Sequence, residues 1–90
     1  MLKTAYKITK NTGLDARVAS ELVTLNGKFN SNINLTVNKV TVDFKSIMGV
    51  MSLNIQKGEI IHIFIEGNDE ELALYELDLL IQSLELGKEY

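Results

Sequence analysis

Ile33-Asn34-Leu35-Thr36-Val37-Asn38-Lys39-Val40-Thr41-Val42-Asp43-Phe44 is the stretch whose pattern decides the fold. Ile33, Leu35 and Val37 alternate with Asn34 and Thr36; Val40, Val42 and Phe44 alternate with Thr41 and Asp43. A strand sends successive side chains to opposite faces, so each run has one apolar face and one wet face. The short Asn38-Lys39 connection joins the two runs as a hairpin. A hairpin wet on one side belongs to an antiparallel sheet whose other side is covered.

On the N-terminal side, Leu2, Thr4, Tyr6 and Ile8 alternate with Lys3, Lys7 and Thr9 as a further strand. A helix follows, with Val18, Leu22 and Leu25 on one stripe beside Ala19 and Val23, Asp15 at its N-cap position and Gly27 at its end. On the C-terminal side, Ser46 stands where it caps one or two helical turns through Ile47-Met48-Gly49-Val50-Met51. Beyond Gly58, Ile61, Ile63 and Ile65 make a fourth strand and leave His62, Phe64 and Glu66 on the wet face. Asn68 with Glu71 three residues on reads as a capping box, and Leu72 through Leu86 continues as a long helix. The order is β-α-β-β-α-β-α: an α+β, two-layer open-faced β-sandwich with a four-stranded antiparallel sheet and three helices on one face. No proline, repeat or low-complexity tract divides the chain, and residues 1–90 are expected to form one domain.

Composition narrows the function. No cysteine is present, which excludes disulfides, thiolate metal sites and thiol nucleophiles. Neither the first residues nor any later run has the apolar length of a leader or a membrane span, so a cytoplasmic protein is expected. Nine basic residues against twelve acidic ones give a net charge of -3, which repels a polyanion unless the basic residues gather on one face; direct nucleic-acid binding is not expected. His62 is the only histidine. No acid or nucleophile is placed beside it by sequence, so it reads as a solvated strand residue rather than a catalytic base.

Two segments, Thr12-Gly13-Leu14-Asp15-Ala16-Arg17-Val18-Ala19-Ser20 and Lys45-Ser46-Ile47-Met48-Gly49-Val50-Met51-Ser52-Leu53, carry a family resemblance. In residues, in their spacing and in element order the chain resembles the HPr (histidine-containing phosphocarrier) family of the phosphotransferase system. The resemblance implies a histidine where Asp15 stands, an imidazole that takes a phosphoryl group from enzyme I and passes it to sugar-transport components. Asp15 cannot form phosphohistidine. Val18 replaces the usual proline of the first helical turn, whereas Arg17 keeps the cation that holds the phosphoryl anion. Asp15 has three readings: an N-cap, a fixed negative charge imitating the phosphorylated state, or an acyl-phosphate nucleophile, which would need a cation site of further acidic residues that none near it in sequence supplies.

The second segment fits the family's regulatory-site pattern without departure. The resemblance implies that Ser46 is the serine modified by HPr kinase/phosphorylase, and that Leu14, Ala16, Arg17, Ile47, Met48 and Met51 dock partners. Without the resemblance, Ser46 reads as a helix cap and Ile47, Met48 and Met51 as a core stripe. The expected function is that of the catabolite-repression branch lacking the active-site histidine: phosphorylated on Ser46, the protein acts as cofactor of a LacI-type catabolite control regulator, is not an enzyme, and needs no metal or other cofactor. The alternatives are a phosphocarrier using another acceptor and an interaction module with an unrelated partner. In the last helix Ala73, Leu77, Leu80, Ile81 and Leu84 are expected to cover the sheet, leaving Leu72, Tyr75, Leu79 and Leu86 as a second stripe for a homo-oligomer or partner.

Overall fold

Alternation sets the sheet. In the computed structural model, which describes all residues Met1–Tyr90, the strands are β1 (Leu2–Ile8), β2 (Asn32–Val37), β3 (Val40–Asp43), β4 (Ile60–Glu66) and β5 (Gly87–Glu89). They form one antiparallel sheet in the spatial order β3-β2-β4-β1-β5. Thr4 lies opposite Ile63, Leu35 opposite Ile63 and Val42 opposite Leu35, so the buried residues Tyr6 and Ile8 of β1, Ile33, Leu35 and Val37 of β2 and Ile61, Ile63 and Ile65 of β4 share one face. Between β2 and β3, Asn38 and Lys39 both take positive φ, 51° and 69°, the backbone that a two-residue hairpin turn of matching twist requires. Lys3, Ala5, Lys7, His62, Phe64, Asn34 and Thr36 occupy the opposite, open face.

Helices α1 (Ala16–Asn26), α2 (Ile47–Ser52) and α3 (Glu70–Ser83) cover the apolar face. Val18, Ala19 and Leu22 of α1, Val50 of α2 and Ala73, Leu77 and Ile81 of α3 are buried with the strand residues in one core cluster, so a single core holds both layers together. Leu80 and Leu84 are partly buried against it. Helix α1 packs against both of the others, which brings the residues before α1 and those around α2 to the same side of the molecule.

The C-terminal region departs from expectation in three ways. The sheet has five strands rather than four, and the order is β-α-β-β-α-β-α-β. Helix α3 stops at Ser83 rather than continuing through Leu86, because Glu85 turns to a left-handed φ of 51° and the Leu86 N–H bonds back to the Ile81 carbonyl at 3.1 Å. With the Glu85 N–H on the Gln82 carbonyl at 3.0 Å, this is a Schellman cap, normally signalled by glycine at the left-handed position and here built with glutamate. Leu86 is consequently not on an exposed stripe; it is fully buried, and its carbonyl accepts the N–H groups of Thr9 and Lys10. Gly87 then enters β5 so close to β1 that a Cβ would lie 2.4 Å from the Lys7 carbonyl oxygen.

The third departure is at the start of α3. Asp69, not Asn68, occupies the cap position, and its side chain does not cap the helix. Its carboxylate reaches across to β2's entrance, accepting the Asn30 N–H at 2.8 Å, the Ser31 N–H at 2.9 Å and the Ser31 hydroxyl. These hydrogen bonds, that of the Ser31 hydroxyl first, hold the Asp69 carboxyl below the usual aspartate range. Instead of a box closed by Glu71, the Glu70 carboxylate accepts the Gly67 N–H at 3.0 Å.

Candidate functional site at two helix N-termini

Helix α1 begins where the chain is forced into a narrow turn. Gly13 has φ 65°, and a Cβ there would lie 2.4 Å from the Ile55 carbonyl oxygen, so glycine alone admits this approach. The same Ile55 carbonyl accepts the Leu14 N–H at 3.1 Å. Asp15 then lies extended, φ -78° and ψ 179°, and its carboxylate accepts the Val18 N–H at 3.0 Å as an N-cap. The Val18 bond, with smaller contributions from the Thr12 side chain and the Lys10 cation, holds the Asp15 carboxyl below the usual aspartate range.

Asp15 lines a shallow depression with Lys10, Thr12, Arg17, Ser83 and Leu84. Arg17 does not turn to Asp15. Its side chain is almost wholly exposed and its Nε lies 3.8 Å from Glu21 one turn along the helix. A positive charge, a helix N-terminus and a carboxylate therefore share one depression, the carboxylate occupying the free helical N–H that an incoming anion would otherwise take. No three His, Asp or Glu side chains gather into a cluster able to hold a metal ion, and His62 stands on the open face of the sheet, away from all three helices.

Helix α2 begins in the same manner with a neutral oxygen. Ser46, φ -108° and ψ 113°, accepts the Gly49 N–H on its Oγ at 3.1 Å, and its own carbonyl accepts the Val50 N–H at 3.0 Å. The approach is pinned from behind: Phe44 is fully buried, its carbonyl accepts the Asn26 side-chain N–H at 3.0 Å, and the Lys45 ammonium donates to the Phe29 carbonyl at 2.7 Å. Ile47, Met48 and Met51 are 40%, 81% and 39% exposed, while Val50 alone of this helix is buried. The alternative reading of these three as a core stripe therefore fails: the helix needs only Val50 to anchor it and turns its other apolar residues to solvent.

Of the residues read as docking partners, Ala16, Arg17, Ile47, Met48 and Met51 are exposed. Leu14 is a correction: the Gly13 turn and the bond to Ile55 draw it into the core, where it supports the α1 N-terminus from beneath. On α3, Leu72, Tyr75 and Leu79 are exposed as expected, without Leu86. Lys10, Ser83 and Leu84 around Asp15, and Asn26 behind Ser46, escaped the sequence reading. They are brought in by the α3 cap and by α1 packing, and no local pattern marks them.

Over residues 2–83 the chain matches the family described as PTS HPr component phosphorylation site. Among solved structures it is similar to the histidine-containing phosphocarrier protein of Mycoplasma, at 36% identity and TM-score 0.93, over 96% of this chain and 98% of that one. It is similar to the HPr dimer of Thermoanaerobacter tengcongensis at 42% identity and TM-score 0.74, over 86% and 88%. It is also similar to the Bacillus subtilis catabolite repression protein Crh, seen as a dimer with a swapped domain, at 36% identity and TM-score 0.71, over 82% and 85%.

Proposed function

This chain belongs to the HPr family of the phosphotransferase system, whose members are phosphocarrier proteins rather than enzymes, and we propose that within it the chain is a regulatory member that carries phosphate on Ser46 and not on a histidine. In this reading residues 1–90 act as one HPr-like domain. HPr kinase/phosphorylase modifies Ser46, and the phosphorylated form serves as cofactor of a LacI-type catabolite control regulator. The observation that carries the reading is the pairing of a capping hydroxyl at Ser46 with three solvent-facing apolar side chains, Ile47, Met48 and Met51, on the same short helix.

The chemistry runs from that geometry. Phosphorylation replaces the Ser46 hydroxyl proton with a phosphoryl group and adds roughly two negative charges. They arrive at a helix N-terminus, where free N–H groups and the dipole favour an anion, so the domain keeps its fold. A partner then meets a dianion and an apolar patch together, where the unmodified protein offers only the patch. Asp15 supports the second half of the reading, because a carboxylate already satisfied by the Val18 N–H is a cap and not an imidazole nucleophile.

Incubation with HPr kinase and ATP, followed by peptide mass spectrometry, is expected to place phosphate on Ser46; phosphate elsewhere or none contradicts the reading. The likeness to phosphocarriers favours a second reading, a carrier using another acceptor. Phosphate transferred from phosphoenolpyruvate by enzyme I would establish it. A hydroxylamine-sensitive adduct would assign it to Asp15.

A further inference from the structure

The face of the sheet that no helix covers carries its own charge pattern. Lys7 of β1 lies directly opposite Lys88 of β5, and Lys3 stands on the same face of β1, roughly 13 Å from Lys7 at about 3.3 Å per residue. Like charges directly opposite on neighbouring strands destabilise a sheet. None of these three ammonium groups forms an ion pair or a side-chain hydrogen bond, although the chain as a whole is acidic. Beside them Ala5 forms the floor of a depression walled by Lys3, His62, Phe64 and Tyr90. Ala5 leaves room there for one incoming side chain, and Phe64 and Tyr90 give that room aromatic walls.

We propose that this open face docks a short acidic segment of a partner protein, one apolar side chain entering the Ala5 depression while carboxylates on either side pair with Lys3, Lys7 and Lys88. The charges argue for a carboxylate-bearing ligand: an anion bridging Lys7 and Lys88 turns a repulsive pair into two attractive ones. They also limit its length. Glu66 of β4 stands diagonally beside Lys3 and Asp43 lies on the far edge strand β3 of the same face, so the cationic stretch accommodates a few residues and then meets the protein's own negative charge. A long phosphate polyanion would run into those carboxylates. The surface lies on the opposite side of the sheet from Asp15 and Ser46, so it serves a contact independent of the phosphorylation site.

The test is fluorescence anisotropy with a fluorescein-labelled Glu-Asp-Phe-Asp-Glu peptide, combined with NMR mapping of the bound state. Saturable binding that weakens with added salt is expected, with amide shifts at Lys3, Ala5, His62 and Phe64 and none around Asp15 or Ser46. Lys7→Glu and Lys88→Glu, each of which places an opposite charge against the remaining lysine and so preserves the fold, are each expected to weaken binding roughly tenfold. Phe64→Ala is expected to weaken it independently of salt. Absence of saturable binding, indifference to both charge reversals, or shifts confined to α1 and α2 overturn the proposal. Tighter binding of labelled oligothymidine through the same lysines overturns it in favour of nucleic acid.

Discussion

The N-termini of α1 and α2 are built to one plan and differ in a single functional group. Each is entered by extended backbone, and each is closed by a side-chain oxygen accepting an N–H three residues on, from Val18 in one and Gly49 in the other. At α1 the oxygen belongs to a carboxylate, whose charge is permanent near neutral pH; at α2 it belongs to a neutral hydroxyl. A carboxylate cap occupies its anion site with the protein's own charge. A hydroxyl cap leaves the same electrostatic preference unfilled, and the phosphorylation proposed at Ser46 would fill it. The surroundings follow the same division: α1's depression is polar and holds Lys10 and Arg17, whereas α2 presents Ile47, Met48 and Met51.

The largest effect expected from breaking this comparison is at Ser46. Ser46→Ala removes the acceptor, so kinase-dependent phosphate incorporation should fall to background, and it removes the cap, lowering stability by about 1 kcal/mol in chemical denaturation. Exchanging the functional group at the other terminus comes next. Asp15→His is expected to make the protein accept phosphate from enzyme I and phosphoenolpyruvate, at a rate limited by Val18 in place of proline. Radiolabel transfer to wild type equal to that of the variant would erase the distinction between the two sites.

Met48→Glu tests the apolar half of the α2 site. With Met48 81% exposed, the change should shift stability by no more than about 0.5 kcal/mol. It should weaken regulator binding by roughly tenfold, measured by titration calorimetry with the Ser46-phosphorylated protein.

A smaller effect is acid sensitivity. Asp15 and Asp69 both have carboxyl groups held below their unfolded value of 3.8, so the stability they contribute is complete above that pH and is lost as pH falls through their folded values. Asp15→Asn keeps a capping oxygen and removes the titration. The acid limb of its thermal-midpoint curve should therefore be shallower than that of wild type, while Ser46→Ala lowers the whole curve without changing the slope. Smallest is Lys7→Glu, expected to raise stability by roughly 0.5 kcal/mol by relieving the Lys7–Lys88 repulsion.

Both caps were legible in the sequence because they are local: an Asp or Ser three residues before its N–H partner needs nothing from the rest of the chain. The hairpin, the covered face and the apolar phases of β1, β2 and β4 were legible for the same reason. What escaped depends on distance or on an uncommon residue. The pattern pointed to a local capping box of Asn68 and Glu71, yet the residue at the cap position is Asp69, whose partners Asn30 and Ser31 lie almost forty residues away. Glu85 in the left-handed region hid the end of α3, and with it β5 and the burial of Leu86, because the apolar phase of the helix runs unbroken into Leu84 and Leu86. The α2 side chains were ambiguous from spacing alone; their exposure follows from a six-residue helix that anchors itself through Val50.

The measurement that bears most directly on the central claim is the affinity of a LacI-type catabolite control regulator for this protein before and after HPr kinase treatment, with kinase-treated Ser46→Ala as the third sample. The account predicts tight, salt-sensitive binding by the phosphorylated wild type and weak binding by the other two. Equal affinity in all three would contradict it and leave Ser46 as a helix cap.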